Sequence, residues 1–215
     1  MNGAAGGDAA VLMLAFESAD HALDAWMARA AELCRDHAGS VPDKALHTRH
    51  EDASTRDAAE GAWRDAFLRA PYLRDALVAR GIFVETFETA ITWDKFDALH
   101  ARVVQAARDA AETKALVSCR ITHAYPDGAA PYFTVVAPAR ADGELSQWLA
   151  VKTAITDAML AEGGTTTHHH AVGRDFRPWY EQQVPTLLRS SLEAVKRQLD
   201  PSSILNPGVL LPEAD

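Results

Sequence analysis

Gly163-Gly164-Thr165-Thr166-Thr167-His168-His169-His170 is the segment of this chain best equipped for chemistry. Imidazole is the side chain whose ordinary titration falls nearest neutral pH, so a run of three can carry protons or donate hydrogen bonds in a pocket. In an extended segment His168 and His170 point one way and His169 the other. The diglycine allows close backbone approach. The plainer reading is a polar surface loop. A zinc site is a third reading, with His123, Asp127 or His47 completing a set around two of the triplet. No H-x-x-x-H or C-x-x-C spacing favours it, and no metal is expected.

Tyr132 follows Ala129-Ala130-Pro131 at the head of a strand, where an aromatic residue is ordinarily core. Arg74, in Tyr72-Leu73-Arg74-Asp75, reads by itself as a helix-surface residue paired with an acid. Glu85 and Glu88 fall on opposite faces of one strand, which argues against a paired-carboxylate site. There is no G-x-x-x-x-G-K-[ST] and no G-x-G-x-x-G after a strand, so no phosphate-binding loop is visible. Cys34 and Cys119 are too few for a disulfide framework or a four-cysteine zinc site, and both read as small packing residues.

The elements that must position these groups follow from periodicity. Val11 to Phe16 reads as a buried strand, and Ser18 as the cap of a helix with apolar residues at Leu23, Trp26, Met27, Ala30, Leu33 and Cys34. Lys44 to Ser54 is a polar loop. A helix from about Arg56 to Arg80 is expected to break near Pro71 and to end at Gly81. Ile82 to Thr89 alternates as a strand, with Phe83, Glu85, Phe87 and Thr89 on one face and Ile82, Val84, Thr86 and Glu88 on the other. A helix striped by Trp93, Phe96, Leu99, Val103, Val104 and Ala107 follows. Strands at Ala115 to His123 and Tyr132 to Ala137 form a hairpin with a long loop, then come a helix from Leu145 to Glu162 and a last one from Thr186 to Leu199. This order predicts an α+β fold, a mainly antiparallel sheet covered by helices with a loop-rich helical C-terminal tail.

The 215 residues are 48% hydrophobic and 24% charged, the balance of a globular protein with a real core. The net charge of −9, from 30 acidic against 21 basic side chains, with no Lys/Arg block, argues against a nucleic-acid partner. No run approaches the roughly 20 apolar residues of a membrane span, and no leader pattern is present. A cytoplasmic location is expected.

Several segments, in order from Leu73 to Leu211, resemble the cap domain of the alkyldihydroxyacetonephosphate synthase family. They are Leu73-Arg74-Asp75, Glu85-Thr86-Phe87-Glu88-Thr89 with Trp93-Asp94, Cys119-Arg120-Ile121-Thr122 with Pro131-Tyr132-Phe133, and Gly163-Gly164 with the histidine triplet and Gly173. Asp200-Pro201-Ser202-Ser203-Ile204-Leu205-Asn206-Pro207-Gly208 resembles the terminal signature of the wider vanillyl-alcohol-oxidase-type flavoproteins. The resemblance implies FAD as cofactor and an exchange of the acyl chain of acyl-dihydroxyacetone phosphate for a fatty alcohol. It implies Tyr132 as the proton-exchanging tyrosine, His168, His169 and His170 as the triplet required for activity, and Arg74 as a binder of an anionic substrate. His169, His170 and Asn206 are the implied cofactor contacts.

Nothing in the sequence corresponds to the FAD-binding half of that family. Residues 1–9 are expected to be a flexible lead-in, 10–165 the cap or substrate domain, and 166–215 a segment returning to an FAD domain carried elsewhere. The expected partners are a small or lipid-like anionic substrate, an FAD-binding domain or subunit, and a second copy in a homodimer. The chain is then a split subunit, a truncated product or a fragment, inactive by itself. Two alternatives stand beside this: a related FAD-linked hydroxy-acid or alcohol oxidase, and a non-catalytic interaction domain lacking its flavin partner.

Overall fold

The computed structural model describes residues 12–42, 46 and 59–212, with side chains for these except 59–64 and 67. The lead-in, Val11, His47 and most of the polar loop around it lie outside the described residues. The chain divides into two compact units, residues 1–65 and 66–215.

In the first unit, α1 (Asp24–Asp36) begins at Leu23 without a side-chain cap. Ser18 does not cap it, because its hydroxyl instead accepts the backbone N–H of Asp20 and of His21 in a local turn. Leu12 to Phe16 is not a strand, and Leu12, Met13 and Leu14 are exposed. A strand needs a neighbour for its backbone groups, and no described residue pairs with this one.

The second unit holds the fold that was expected, an antiparallel sheet with helices, and so an α+β architecture. Helix α2 (Ala59–Val78) runs unbroken through Pro71. The residues around Pro71 are exposed, so water can take the carbonyl that the proline leaves unpaired. Gly81, at φ 73°, turns the chain out of α2 and into β1 (Ile82–Glu88). Next come β2 (Ile91–Thr92), α3 (Trp93–Ala111), β3 (Leu116–Ala124), β4 (Gly128–Pro138), α4 (Glu144–Ala161), α5 (Gly173–Gln183) and α6 (Thr186–Leu199).

Strand β4 is the centre of the sheet. It pairs antiparallel with β1 and then β2 along one side and with β3 along the other. Phe83, Phe87, Phe133 and Val135 project from one face of the sheet and are buried with Leu99, Val103 and Ala107 of α3 and Val151, Ile155 and Met159 of α4. The opposite face is a row of half-exposed residues, Val84, Thr86, Tyr132, Thr134 and Val136. Cys119 packs against the core, and burial pushes its thiol up to about 11. No helix of the described residues is long and apolar enough to cross a membrane.

Two further expectations for this unit, besides the break near Pro71, need correction. The hairpin loop is short rather than long: Ala129-Ala130-Pro131 is already strand, and the Tyr125 N–H reaches the Gly128 carbonyl at 2.8 Å. Pro131 is tolerated there because its carbonyl, and so the side on which an N–H would lie, faces Thr89 just past the end of β1, outside the β1–β4 ladder. The tail also carries one more helix than expected, α5, which includes Pro178 and seals Trp179 and Phe176 onto α4 and the core. The Trp179 indole N–H donates to Asp157 at 2.6 Å.

Candidate functional site

Glu88 ends β1 on the open face, opposite Tyr132 in the register of the central strand, and Tyr132 in turn faces Arg120 of β3. Three strands therefore present Glu88, Tyr132 and Arg120 in one row. The Arg120 guanidinium lies over the Tyr132 ring, 4.3 Å from its centroid.

The bulge in β3 adds two more groups. A bulge turns successive side chains toward the same side, and both Thr122 and His123 reach Glu88 Oε1. The Thr122 hydroxyl donates to it in a short hydrogen bond, and His123 Nδ1 lies 3.7 Å away.

The histidine triplet closes over this row because the segment leading into it, Gly164 to Thr166, is pinned from two sides. Thr165 is stapled to the end of β1: the Thr89 hydroxyl donates to its carbonyl at 2.6 Å and the Ala90 N–H donates to its hydroxyl at 2.8 Å. Gly164 must be glycine, since a Cβ there would sit 2.7 Å from the Thr89 hydroxyl and 2.9 Å from a Leu99 methyl. From α5, Gln183 accepts the Thr166 N–H at 2.9 Å and donates to the Gly164 carbonyl at 2.9 Å.

His169 then adopts a left-handed backbone, φ 39°, and the His170 N–H folds back on the His168 carbonyl. The rings consequently do not alternate as an extended segment requires. All three converge on Glu88, with His168 Nδ1 3.4 Å from Oε1, and His169 Nε2 and His170 Nε2 at 2.9 Å and 3.2 Å from Oε2. His168 is held from behind by the Tyr125 hydroxyl, 3.0 Å from its Nε2. His170 meets Tyr132 edge-on, with ring centroids 5.9 Å apart.

The Glu88 side chain is fully buried, 0% exposed. Burial by itself favours its neutral acid. The Thr122 hydrogen bond and the charges of His169, His170 and His168 outweigh that and hold the carboxyl below the ordinary glutamate value. Glu88 Oε2 and His168 Nδ1 are buried with no hydrogen-bond partner. Glu88, His123, His168 and His169 each offer a ligand atom, all within 4.8 Å of one another.

Of the residues expected at the site, Tyr132, His168, His169 and His170 are brought together. Arg74 is not among them. It reaches Glu85 on the core face, at 3.6 Å, where the Trp148 indole N–H also donates at 2.5 Å. Asn206 sits in a separate turn, whose Asp200 accepts the N–H groups of Ile204 and Leu205. That turn is tied to α5 by Arg174 and Arg177, which donate to the Pro207 and Gly208 carbonyls. Asp127 contributes only its carbonyl, which accepts the Trp93 N–H. Glu88, Thr122 and His123 were not singled out together. Alternation put Glu88 on the correct face, but the bulge that delivers Thr122 and His123 to it has no sequence mark.

The family model for FAD linked oxidases, C-terminal domain, matches residues 2–210, so the chain belongs to that family. Among curated proteins it is similar to the alkyldihydroxyacetonephosphate synthase of Trypanosoma brucei brucei, 33% identical over 155 residues, which are 70% of this chain and 25% of that protein. It is also similar to the Caenorhabditis elegans synthase, 33% identical over 62% of this chain and 23% of that protein. The Dictyostelium discoideum synthase is 26% identical over 70% of this chain and 25% of its own length. A solved alkyldihydroxyacetonephosphate synthase structure superposes with a TM-score of 0.52 at 20% identity, covering 68% of this chain and 24% of that one, and supports the fold. The chain spans about a quarter of the length of these relatives.

Proposed function

We propose that this chain is the substrate-facing cap of an FAD-dependent oxidoreductase similar to alkyldihydroxyacetonephosphate synthase, with Tyr132 and the histidine triplet handling protons beside the flavin. The observation that carries the reading is the convergence of Tyr132 and the triplet on the sheet face opposite the core packed by α3 and α4. Bound FAD would supply the electron-accepting ring that this chain has no residue type to replace.

The open face suits one wall of such a site. It carries a phenol and imidazoles at its surface, and beneath them two buried polar atoms, Glu88 Oε2 and His168 Nδ1, that lack hydrogen-bond partners. Tyr132 gives or takes a proton at the substrate through its hydroxyl. His170, edge-on to Tyr132 and 3.2 Å from Glu88 Oε2, is the neighbour able to pass that proton on. Thr122 fixes the carboxylate that orients the rings. Arg74 keeps about half its side chain exposed while paired to Glu85, so its remaining N–H groups are open to a phosphate or carboxylate on the core side of the sheet rather than beside the triplet. The FAD-binding partner is supported by α6, which buries none of its residues and leaves Leu187, Leu188, Val195 and Leu199 exposed.

The test is Tyr132→Phe in the enzyme reconstituted with its FAD-binding half. The phenyl ring keeps its place under Arg120 and the hydroxyl is lost. Turnover should fall by at least about 100-fold with the fold unchanged by circular dichroism; wild-type turnover would remove Tyr132 from the mechanism.

A further inference from the structure

We infer that Glu88, His123, His168 and His169 form a four-coordinate site for a divalent transition metal of the zinc class. Three imidazoles and one carboxylate, drawn from β1, β3 and the triplet loop, are a donor set that zinc accepts in tetrahedral geometry. Bonds near 2 Å separate tetrahedral ligand atoms by roughly 3.3 Å. Glu88 Oε2 lies 2.9 Å from His169 Nε2, and Glu88 Oε1 lies 3.4 Å from His168 Nδ1 and 3.7 Å from His123 Nδ1, distances on either side of that edge length.

Two further features point to an ion rather than to a chance cluster. His168 Nδ1 is buried and has no hydrogen-bond partner, while its Nε2 is engaged by the Tyr125 hydroxyl. With Nε2–H donated to Tyr125, the Nδ1 lone pair faces the carboxylate, and an outer oxygen holding the far nitrogen is the usual support of a metal-bound imidazole. Glu88 is supported in the same way, by the Thr122 hydroxyl on Oε1, and its buried Oε2 has imidazole nitrogens beside it, His169 Nε2 at 2.9 Å and His170 Nε2 at 3.2 Å. Polar atoms buried without partners are costly unless something satisfies them, and a cation among them does.

His170 is not needed as a ligand. It stays edge-on to Tyr132, so a bound metal narrows the proton path to Tyr132 and His170 and sets a Lewis acid beside them. The site stands on this chain's own residues and does not depend on the flavin reading.

The experiment uses the full chain, stripped with a chelator and titrated with zinc and, separately, with cobalt(II). One equivalent of zinc should bind, the melting temperature should rise with free zinc, and cobalt should show the intense visible bands of a four-coordinate ion. His123→Gln and His168→Gln should each weaken zinc binding at least tenfold. Tyr125→Phe, which removes only the outer oxygen, should weaken it roughly tenfold. His100→Gln, outside the cluster, should leave it unchanged. Glu88→Gln should abolish it; if that variant unfolds, the exposed-side His123→Gln still decides. Absence of stoichiometric binding, or binding that His123→Gln and His168→Gln do not weaken, would overturn the site. Neither result touches the flavin reading, which rests on turnover of Tyr132→Phe.

Discussion

Glu85 and Glu88 stand three residues apart on one strand, both buried, and they meet opposite company. Glu85 faces the core side, where the Trp148 indole donates to it and Arg74 pairs with it. Lys152 lies nearby in a cage of Phe176, Trp148 and Phe87, its ammonium 4.0, 5.1 and 5.8 Å from their ring centroids. Glu88 faces the open side, where its neighbours are imidazoles and a threonine. Lysine and arginine shed their protons with difficulty, whereas imidazole exchanges its proton near neutral pH. A carboxylate matched to fixed cations holds a fold together; one matched to titratable rings is placed to serve chemistry.

The largest effect that tests this contrast is on stability. Glu85→Gln removes the carboxylate that the Trp148 indole and Arg74 meet, and one of the two carboxylates, with Asp175, that favour the buried Lys152 ammonium, and should cost about 2 kcal/mol. Glu88→Gln should cost about 1 kcal/mol, because the imidazoles can lose their protons and Thr122 can still donate to the amide oxygen. Urea unfolding of the two variants compares them directly. Equal losses would erase the distinction between a structural and a chemical carboxylate.

The two faces should also separate along the pH scale. The Glu88 carboxyl is held below its ordinary value, so the stability it contributes is complete above the ordinary glutamate value, about 4.3. It is lost as pH falls through the folded value. The stability gap between wild type and Glu88→Gln should therefore close in acid. Lys152 is lowered first by burial, with Arg74 adding to that and Glu85 and Asp175 opposing it. Its folded form binds the proton less readily than the unfolded chain does, so stability rises with pH between its folded value and the ordinary lysine value, about 10.4. Lys152→Met should flatten that alkaline rise and leave the acid limb unchanged.

The two faces were unequally legible in the sequence. Alternation in Ile82 to Glu88 correctly sorted Phe83, Glu85 and Phe87 from Val84, Thr86 and Glu88, and the stripe Leu99, Val103, Ala107 correctly marked the buried side of α3. These are short-range periodicities that one segment carries alone. The site is assembled across four segments, and its decisive details are irregular: a bulge at Thr122, a left-handed turn at His169, a proline accepted inside β4. Arg74 was placed on a helix, but its partner depends on which helix face meets β1, and that is set by packing. Helix α5 was hidden by Pro178. The carbonyl that Pro178 leaves unpaired belongs to Arg174, which is exposed and within reach of water.

Helix α5 also provides the smallest and most local test. Gln183 bridges the triplet loop by accepting from the Thr166 N–H and hydroxyl and donating to the Gly164 carbonyl. Gln183→Ala removes all three bonds on one side of the loop, while the staple from Thr89 and Ala90 remains on the other. The global cost should be about 1 kcal/mol, since Gln183 is itself exposed and water can enter where its side chain is cut back, taking the bonds of the buried Thr166 and Gly164. Hydrogen exchange at Thr166 to His170 should accelerate by roughly tenfold or less, as that energy allows, with β1 and β4 amides unaffected. Unchanged protection at the triplet would mean that β1 alone sets the ring positions, and α5 would then serve the core face through Trp179 and Phe176 rather than the chemistry on the open one.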